Sequence, residues 1–233
     1  MARRIAPRND VPDIAQLAGV LADPSRAEML ETLLDGKAHT IGRLGKRAGI
    51  TAATASAHLR KLVEARLVTV TADGRERQVQ LAGADVAELL ERLSVLATPA
   101  RPAGREALRF ARTCYDHLAG VLGVLVAGAL VDRGWLHDTG DSFEPAPPLF
   151  RWLADHGQPV EIGGRRPLSR SCLDWTERVP HVAGRIGAAI ASVCLDARWL
   201  VPARDSRALR VTDRGRVALG RELGLVLPVH RRG

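Results

Sequence analysis

Residues Leu21–Leu81 have the sequence LADPSRAEMLETLLDGKAHTIGRLGKRAGITAATASAHLRKLVEARLVTVTADGRERQVQL, and this stretch decides the fold of the amino-terminal part of the chain. Apolar residues at helical spacing predict three short helices there, each beginning after a capping residue: Asp23, Thr40 or Thr51. Residues 67–81 then predict a two-stranded hairpin that turns at an Asp-Gly pair. Three helices followed by a hairpin predict a winged helix-turn-helix, a module that places its last helix in the major groove of DNA.

Helical patterns also flank this module. Pro12–Ala22 and Asp85–Leu96 each carry apolar residues at helical spacing. The Pro/Gly-rich stretch Thr98–Gly104 predicts a domain boundary. We therefore expect a winged helix-turn-helix domain for DNA binding and dimerisation over residues 11–97, and a helical candidate effector domain over residues 105–225. The predicted fold class of the whole chain is mainly α with small β-hairpin wings, that is, α+β.

The charge and cysteine content of the chain narrow the class of partner and the compartment. The 233 residues carry a net charge of +8, and residues 37–77 alone hold nine Lys and Arg against three acidic residues. Such a basic surface favours a polyanion, here double-stranded DNA. The odd, low count of three cysteines argues against a disulfide framework and suits a reducing cytoplasm. We expect no signal peptide and no membrane partner, because the longest apolar run, residues 118–131, is too short to span a bilayer.

The predicted reading helix, Ala52–Ala65, has two faces. Ala55, Leu59 and Leu62 recur at helical spacing and are expected to pack on the core. The opposite face offers few hydrogen-bonding groups, because alanines can contact only thymine methyl groups. We therefore expect phosphate contacts and DNA shape to supply much of the specificity. The candidate DNA contacts, on this helix, at its start and on the wing, are Thr51, Ala53, Thr54, Ser56, Ala57, His58, Arg60, Lys61, Arg75 and Arg77.

Residues 15–96 resemble the ArsR family of bacterial winged-helix regulators. The resemblance is carried by LADPSR at 21–26, GITAATASAHL at 49–59 and LVEARLV at 62–68. It implies a homodimeric repressor that leaves a palindromic operator when a metal or another signal binds. It also implies a dimer interface built from the first and last helices of the module, through Ile14, Leu17, Leu21, Leu89, Leu93 and Leu96.

The chain departs from the family pattern at several positions. Ala57 stands where a long polar residue is common, which weakens the expectation of base contacts, and Arg66 replaces a usual glycine. The Cys-x-Cys pattern of the metal-sensing members is missing from residues 41–48. Other members of the family bind metal through histidine and carboxylate side chains on the last helix, which here, Asp85–Leu96, has no histidine. The resemblance therefore implies no metal at either place.

The second half of the chain contains a weak internal repeat. HLAGVLG at 117–123 matches HVAGRIG at 181–187, and each stretch has a cysteine upstream and an apolar helix after it. The Cys-x-x-His spacing at 114–117 predicts that both side chains lie on one helix face. If the two arms pack as partners, four ligands suited to Zn²⁺ or another thiophilic metal meet: Cys114, His117, Cys172 and His181. We expect a helical bundle with a small β element, with a degenerate second winged helix as the alternative.

The occupant of this second half stays open at the level of sequence. The four residues fit a thiophilic metal, yet they could also line a pocket for haem or a small organic effector, and a buried cysteine is often only a small hydrophobe. The leading hypothesis is a repressor that responds to a ligand or metal. One alternative is a constitutive DNA-binding protein whose second half recruits protein partners. Another is a metal- or Cys-dependent enzyme, against which the missing phosphate loop and nucleophile motifs argue.

Overall fold

The computed structural model describes residues 13–73, 76–97, 106–164, 166–204 and 206–227. These residues form two compact units. The first unit holds the described residues up to Glu31 together with Ala38–Ala82, and the second holds Thr32–Lys37 and the described residues from Gly83 onward. Within the described ranges, no helix combines the length and the apolar character that crossing a bilayer requires.

The first unit is a winged helix-turn-helix. Its elements in chain order are α1 (Ile14–Leu21), α2 (Pro24–Leu33, of which the last two residues belong to the second unit), β1 (His39–Thr40), α3 (Ile41–Arg47), α4 (Ala52–Glu64), β2 (Val68–Asp73) and β3 (Glu76–Leu81). The three strands form an antiparallel sheet in the order β1-β3-β2, in which Val70 lies opposite Val79. The predicted helices and the hairpin are confirmed.

The helices of the first unit begin where side chains can cap them. The Asp23 carboxylate accepts from the Arg26 amide at 3.0 Å, and the Thr40 and Thr51 hydroxyls accept at 3.3 and 3.2 Å from amides three residues on. Apolar side chains from α2, α3, α4, the sheet and the residue just before β2 are buried as the core: Met29, Leu30, Leu44, Ala55, Leu59, Leu62, Leu67, Val68, Val79 and Leu81. By contrast, α1 has no buried residue although its sequence, IAQLAGVL, is almost wholly apolar.

The second unit is built from α5 (Ala84–Leu96), a short helix α6 (Glu106–Phe110), and two arms with the same order of elements. The first arm contains β4 (Arg112–Cys114), β5 (His117–Ala119), α7 (Gly120–Asp132), β6 (Leu136–Asp138), β7 (Phe143–Pro145) and α8 (Pro147–Asp155). The second arm contains β8 (Arg170–Leu173), β9 (Pro180–Ala183), α9 (Gly184–Asp196), β10 (Leu200–Pro202), β11 (Leu209–Val211) and α10 (Asp213–Leu223). Consecutive strands pair as four antiparallel hairpins.

This organisation confirms the predicted α+β class and corrects the expectation of a helical bundle. Each arm opens with a hairpin that the sequence pattern did not predict. The arms are interlocked, because α7 of the first arm packs on β9 of the second and α9 of the second arm packs on β5 of the first. Their buried apolar side chains form one core, to which α7 and α9 contribute Leu122, Val126, Leu130, Ile186 and Ile190.

The two units divide the chain differently from the predicted domain limits. The helix α5, which we assigned to the DNA-binding domain, packs with the second unit, as do residues 32–37. Two charged pairs hold α5 there: Glu88 with Arg170, and Glu91 with Arg207. This division by packing does not decide where separately folding domains begin and end, so the domain boundary predicted between residues 97 and 105 stays a prediction.

Candidate functional site

The outer face of α4 presents most of the predicted DNA contacts to solvent. Ala53, Arg60 and Lys61 are exposed, while Ser56 and Ala57 are half-buried on the same side of the helix. Thr51 and Thr54 are exposed at the helix start, where their hydroxyls lie 2.9 Å apart. On the wing, Arg77 is exposed on β3, and Arg75 lies outside the described residues.

His58 lies at the edge of this outer face, and its role as a DNA contact stays a prediction. Its ring lies 3.2 Å from an Arg26 guanidinium nitrogen and 3.8 Å from the Asp23 carboxylate, and only 14% of the side chain is exposed. The helical spacing already indicated that His58 lies close to the buried face. It follows Ala55 by three residues and precedes Leu62 by four, and both of those are buried.

Sequence reasoning left out the basic residues of α3. Arg43, Lys46 and Arg47 are exposed, and Arg47 is partly neutralised by Glu28 at 3.5 Å. The charge count over residues 37–77 was the available signal. In helix-turn-helix modules the helix before the reading helix crosses the phosphate backbone, so cations on α3 suit phosphate contacts.

The residues predicted at a dimer interface lie on surfaces that their own units leave open. On α1, Ile14 is 76% exposed, and Leu17 and Leu21 are half-buried. On α5, Leu93 and Leu96 are exposed and Leu89 is half-buried. Both helices therefore retain apolar side chains that the described residues of the chain do not cover.

The second unit brings Cys114, His117, Cys172 and His181 together, and we call these four residues the Cys/His centre. Each Cys-His pair lies directly across a hairpin, Cys114 opposite His117 in β4–β5 and Cys172 opposite His181 in β8–β9. The expectation that Cys114 and His117 share a helix face is therefore wrong, because the three-residue step is a strand, a two-residue turn and a strand. The four ligand atoms lie within 4.8 Å of one another.

The Cys/His centre is buried, and most of its imidazole nitrogens have no hydrogen-bond partner among the described residues. Cys114, His117 and His181 are all at most 5% exposed, and Cys172 is half-buried. The two Sγ atoms lie 3.9 Å apart, and the two imidazole ring centres 5.1 Å apart. Within the part of the chain that the structure describes, Nε2 of both histidines and Nδ1 of His181 have no hydrogen-bond partner. Buried polar atoms without partners are rare in folded proteins, so these three need an explanation.

A carboxylate faces the other ring nitrogen of each histidine. Nδ1 of His117 lies 3.4 Å from Asp116, and Nδ1 of His181 lies 3.6 Å from Asp174. Asp174 is fully buried; it accepts from the Arg112 guanidinium at 2.9 Å and from the Gly120 amide at 2.6 Å. Burial would raise the pKa of Asp174, but Arg112 and these hydrogen bonds hold that pKa well below its ordinary value.

The two thiols of the centre differ in their pKa. Hydrogen bonding to Cys172 and burial raise the pKa of Cys114, whereas the Cys114 thiol and the two imidazoles lower the pKa of Cys172 against the effect of burial. Burial would lower the pKa of His117, but Asp116 and Cys172 raise it above its ordinary value. Paired soft donors of this kind are the ligands that zinc-class metals prefer.

A cavity of about 320 Å³ adjoins the Cys/His centre. Its walls include Cys114, His117 and Cys172 on one side, and Ala84, Ala87 and Glu88 of α5 on another. This volume is at the small end for ligand pockets. At the tip of the first hairpin, the Tyr115 amide donates to the Leu34 carbonyl at 2.8 Å. Movement of the hairpin would therefore reach both α5 and the segment that ends α2.

Comparisons with known proteins agree with the first unit and extend over the second. A family model described as a helix-turn-helix domain matches residues 21–71. A second model, a G5-linked ubiquitin-like domain, matches residues 68–95, which form the wing and α5. The uncharacterised HTH-type transcriptional regulator YdfF of Bacillus subtilis is 39% identical over 222 residues, which cover 92% of this chain and 98% of that protein.

Other relatives match about a third of the chain. The HTH-type transcriptional regulator CmtR of Mycobacterium tuberculosis is 38% identical over 80 residues, which cover 34% of this chain and 67% of that protein. The homodimeric winged helix-turn-helix domain Mb0332 of Mycobacterium bovis, described as a possible ArsR-family regulator, is 29% identical with a TM-score of 0.34, and the match covers 36% of this chain and 76% of that one. A TM-score this low adds nothing to the assignment. The curated relatives are regulators and not enzymes, and the chain belongs to the HTH-type transcriptional regulators.

Proposed function

We propose that this regulator is a homodimeric repressor that binds a palindromic operator and is released when an effector occupies the second unit. The observation that carries this proposal is the cavity beside the Cys/His centre, whose wall includes α5. The resemblance to the ArsR family implies that α5 is a dimerisation helix, so an occupant of the cavity would touch a helix that sets the dimer. A cytoplasmic location follows from DNA as the partner.

The DNA-binding part of the proposal is supported by the surface of the first unit. The exposed face of α4 offers Arg60 as its longest hydrogen-bonding side chain, and exposed cations lie on α3 and at Lys61. Such a face suits many phosphate contacts and few base contacts. One short helix covers few base pairs, and a two-fold dimer would match two half-sites about one helical turn of DNA apart.

The dimer part of the proposal is supported by the open apolar surfaces of α1 and α5. An apolar helix without a buried residue is unusual in a soluble unit, because burial of apolar surface is what stabilises such helices. A second copy of this chain is the partner that we propose for both surfaces. The expected measurement is a mass of two chains by light scattering, reduced to one chain by the double variant Ile14→Glu, Leu96→Glu.

Release requires that the effector favours one dimer state over the other. The described contacts offer a route for such a preference: the cavity wall includes Glu88, which pairs with Arg170 beside Cys172, and Tyr115 of the first hairpin binds Leu34. An occupant that shifts either hairpin would move α5 or the end of α2. The proposal predicts that variants of the Glu88–Arg170 pair keep DNA binding and lose the response to the effector.

The first experiment is selection of operator DNA from a random pool, followed by binding measured against salt. We expect a palindrome and an affinity that falls steeply with salt, because lysines and arginines release counterions from phosphates. Arg60→Ala should weaken operator binding by about tenfold or more, as a base or phosphate contact on one helix. Arg214→Ala, an exposed arginine on α10, is the matched control and should change nothing. Equal affinity for random DNA at moderate salt would contradict the proposal.

A further inference from the structure

We propose that Cys114, His117, Cys172 and His181 bind a single thiophilic metal ion of the zinc class in a closed tetrahedral site, with two ligands from each arm. As a binding site, this inference depends only on the geometry of the second unit. As the signal that the repressor senses, it rests on the proposed function and deepens it by naming the occupant.

The separation of the ligand atoms fits one tetrahedral ion. With Zn–S bonds of about 2.3 Å, the two sulfurs of a tetrahedral site lie about 3.8 Å apart, and the Cys114 and Cys172 sulfurs are 3.9 Å apart. All four ligand atoms lie within 4.8 Å of one another, so small side-chain rotations bring the nitrogens to bonding distance. A two-iron cluster would need its ligands spread around two metal atoms, and haem would use only one or two of them.

The unpartnered imidazole nitrogens are a second, independent observation. Nε2 of His117 and Nε2 of His181 are buried without a hydrogen-bond partner among the described residues. On His117 the opposite nitrogen, Nδ1, lies at hydrogen-bond distance from Asp116, whereas Nδ1 of His181 faces Asp174 at 3.6 Å without a hydrogen bond. Histidines that bind metals usually have such a carboxylate on the other nitrogen, because it fixes the ring and raises its basicity. A metal would satisfy both Nε2 atoms at once.

The alternative occupation of the centre is a disulfide between Cys114 and Cys172. It would need the sulfurs to approach from 3.9 Å to a bond of about 2.05 Å. It would also leave both buried Nε2 atoms unsatisfied, so it accounts for only two of the four residues. The charge of the metal-bound centre also balances: two thiolates offset a divalent cation and the imidazoles stay neutral, so the buried site would have no net charge.

The test uses Co²⁺ alone, a spectroscopic substitute for Zn²⁺, added to reduced, metal-free, full-length protein under anaerobic conditions. We expect saturation at one ion per chain, the absorption of tetrahedral cobalt with thiolate ligands, and its loss when one equivalent of Zn²⁺ is added. Cys114→Ser and His117→Gln should each weaken Co²⁺ binding at least about 100-fold, since second-sphere changes alone cost 10- to 100-fold. The matched controls are Cys194→Ser, a buried cysteine outside the centre, and His137→Gln, an exposed histidine; both should bind as the wild type does.

A ligand variant could fail to fold, so wild-type protein supplies a second measurement. Zn²⁺ should protect two of the three thiols from alkylation, and mass spectrometry should identify them as Cys114 and Cys172. Octahedral cobalt spectra, or thiol labelling that Zn²⁺ leaves unchanged, would overturn the site. Metal binding without any change in operator affinity would leave the site standing and refute metal-controlled release. Release of the operator by another compound, from a chain that binds no metal, would refute the metal site and leave the proposed effector-controlled repressor standing.

Discussion

The two arms of the second unit place an Arg, a Cys and an Asp at matching positions but use the charged pair differently. Arg112 of the first arm is fully buried and crosses to Asp174 of the second arm at 2.9 Å. The matching pair, Arg170 and Asp116, does not form. Arg170 instead contacts Glu88 on α5, and Asp116 contacts Arg166 at 2.6 Å. Of the two ion pairs that the repeat would allow between the arms, one forms, and the two residues of the other pair with different partners.

This difference shows how a nearly symmetric core can be attached to a single helix. The retained pair braces the two hairpins from inside, where Asp174 also accepts the first amide of α7 and the Thr176 hydroxyl. Among the described residues, Arg170 makes no such contact between the arms; it pairs with Glu88 and so connects the second hairpin to α5. The four residues of the Cys/His centre and the two aspartates occupy symmetric positions, while the contacts of the arginines break the symmetry. The comparison therefore separates residues that hold the Cys/His centre from residues that connect it to its surroundings.

The sharpest way to break the comparison is to remove each aspartate in turn. Asp174→Ala leaves Arg112 buried without a counter-charge, and loss of one partner of a buried pair costs about 3–5 kcal/mol of unfolding free energy. Asp116→Ala breaks a partly exposed pair and should cost about 1 kcal/mol or less. Urea unfolding of the metal-free proteins measures both, so that loss of metal does not enter the comparison. Equal losses of unfolding free energy in the two variants would contradict the different roles that we assign to Asp174 and Asp116.

The next test concerns the glycines that let each helix approach a hairpin. A Cβ on Gly187 would lie 2.3 Å from the Val182 carbonyl oxygen and 3.2 Å from Cβ of His117; a Cβ on Gly123 would lie 2.6 Å from the Leu118 carbonyl oxygen. Because these contacts are with backbone, the helices must shift, and we expect each alanine variant to lose about 1–3 kcal/mol. Gly187→Ala should lose more and should also weaken Co²⁺ binding by displacing His117.

The control for both glycine variants is Gly128→Ala. Gly128 lies in α7, and apart from its chain neighbours and the nearby backbone of that helix no atom lies within 4 Å of its added Cβ. Alanine is favoured over glycine in a helix interior, so this variant should be stabilised by up to about 1 kcal/mol. Thermal or urea unfolding of the three variants side by side gives the order. A loss at position 128 as large as that at 123 would indicate a general intolerance of α7 and would remove the close-approach argument.

Local signals made the first unit predictable from sequence, and non-local contacts hid much of the second. Asp23, Thr40 and Thr51 mark helix starts by chemistry that acts within three residues, so those helices are where the sequence places them. The Arg112–Asp174 pair joins residues 62 positions apart, and no local pattern indicates which arginine meets which carboxylate. His58 lies at the edge between the two faces of α4, so the spacing alone does not decide whether it contacts DNA.

The hairpins of the Cys/His centre were hidden by their short strands. A strand of three residues, such as Arg112–Cys114, is too short for alternation to be distinguished from helical spacing. Its turn also places Tyr115 at a φ of 60°, a left-handed conformation that sequence rules assign to Gly, Asn or Asp. The repeat itself was visible, and it correctly brought the four residues together while giving the wrong local structure to Cys114 and His117.

The two thiols of the Cys/His centre sharpen the comparison on a smaller scale. Cys172 is half-buried, whereas Cys114 is 2% exposed. In metal-free protein we expect iodoacetamide to label Cys172 at least about tenfold faster than Cys114, as thiol access differs. Cys194 is the internal reference, because burial raises its pKa to about 12 and keeps it protonated and unreactive. Timed labelling followed by peptide mass spectrometry gives the three rates. Faster labelling of Cys114 than of Cys172 would contradict the difference in accessibility between the two thiols.

The smallest expected effect lies where each long helix of an arm ends. Gly134 follows α7 at a φ of 65°, and Arg198 follows α9 at a φ of 54°, so both arms need a left-handed residue at the same place. Glycine adopts this conformation without steric cost, whereas other residues are strained there. Gly134→Ala should therefore lose about 1 kcal/mol of unfolding free energy, and Arg198→Gly should gain up to about 1 kcal/mol. Chemical denaturation of both variants decides the point: opposite signs mean that the second arm carries backbone strain that the first arm avoids, and a loss in both would mean that the Arg198 side chain contributes more than its backbone costs.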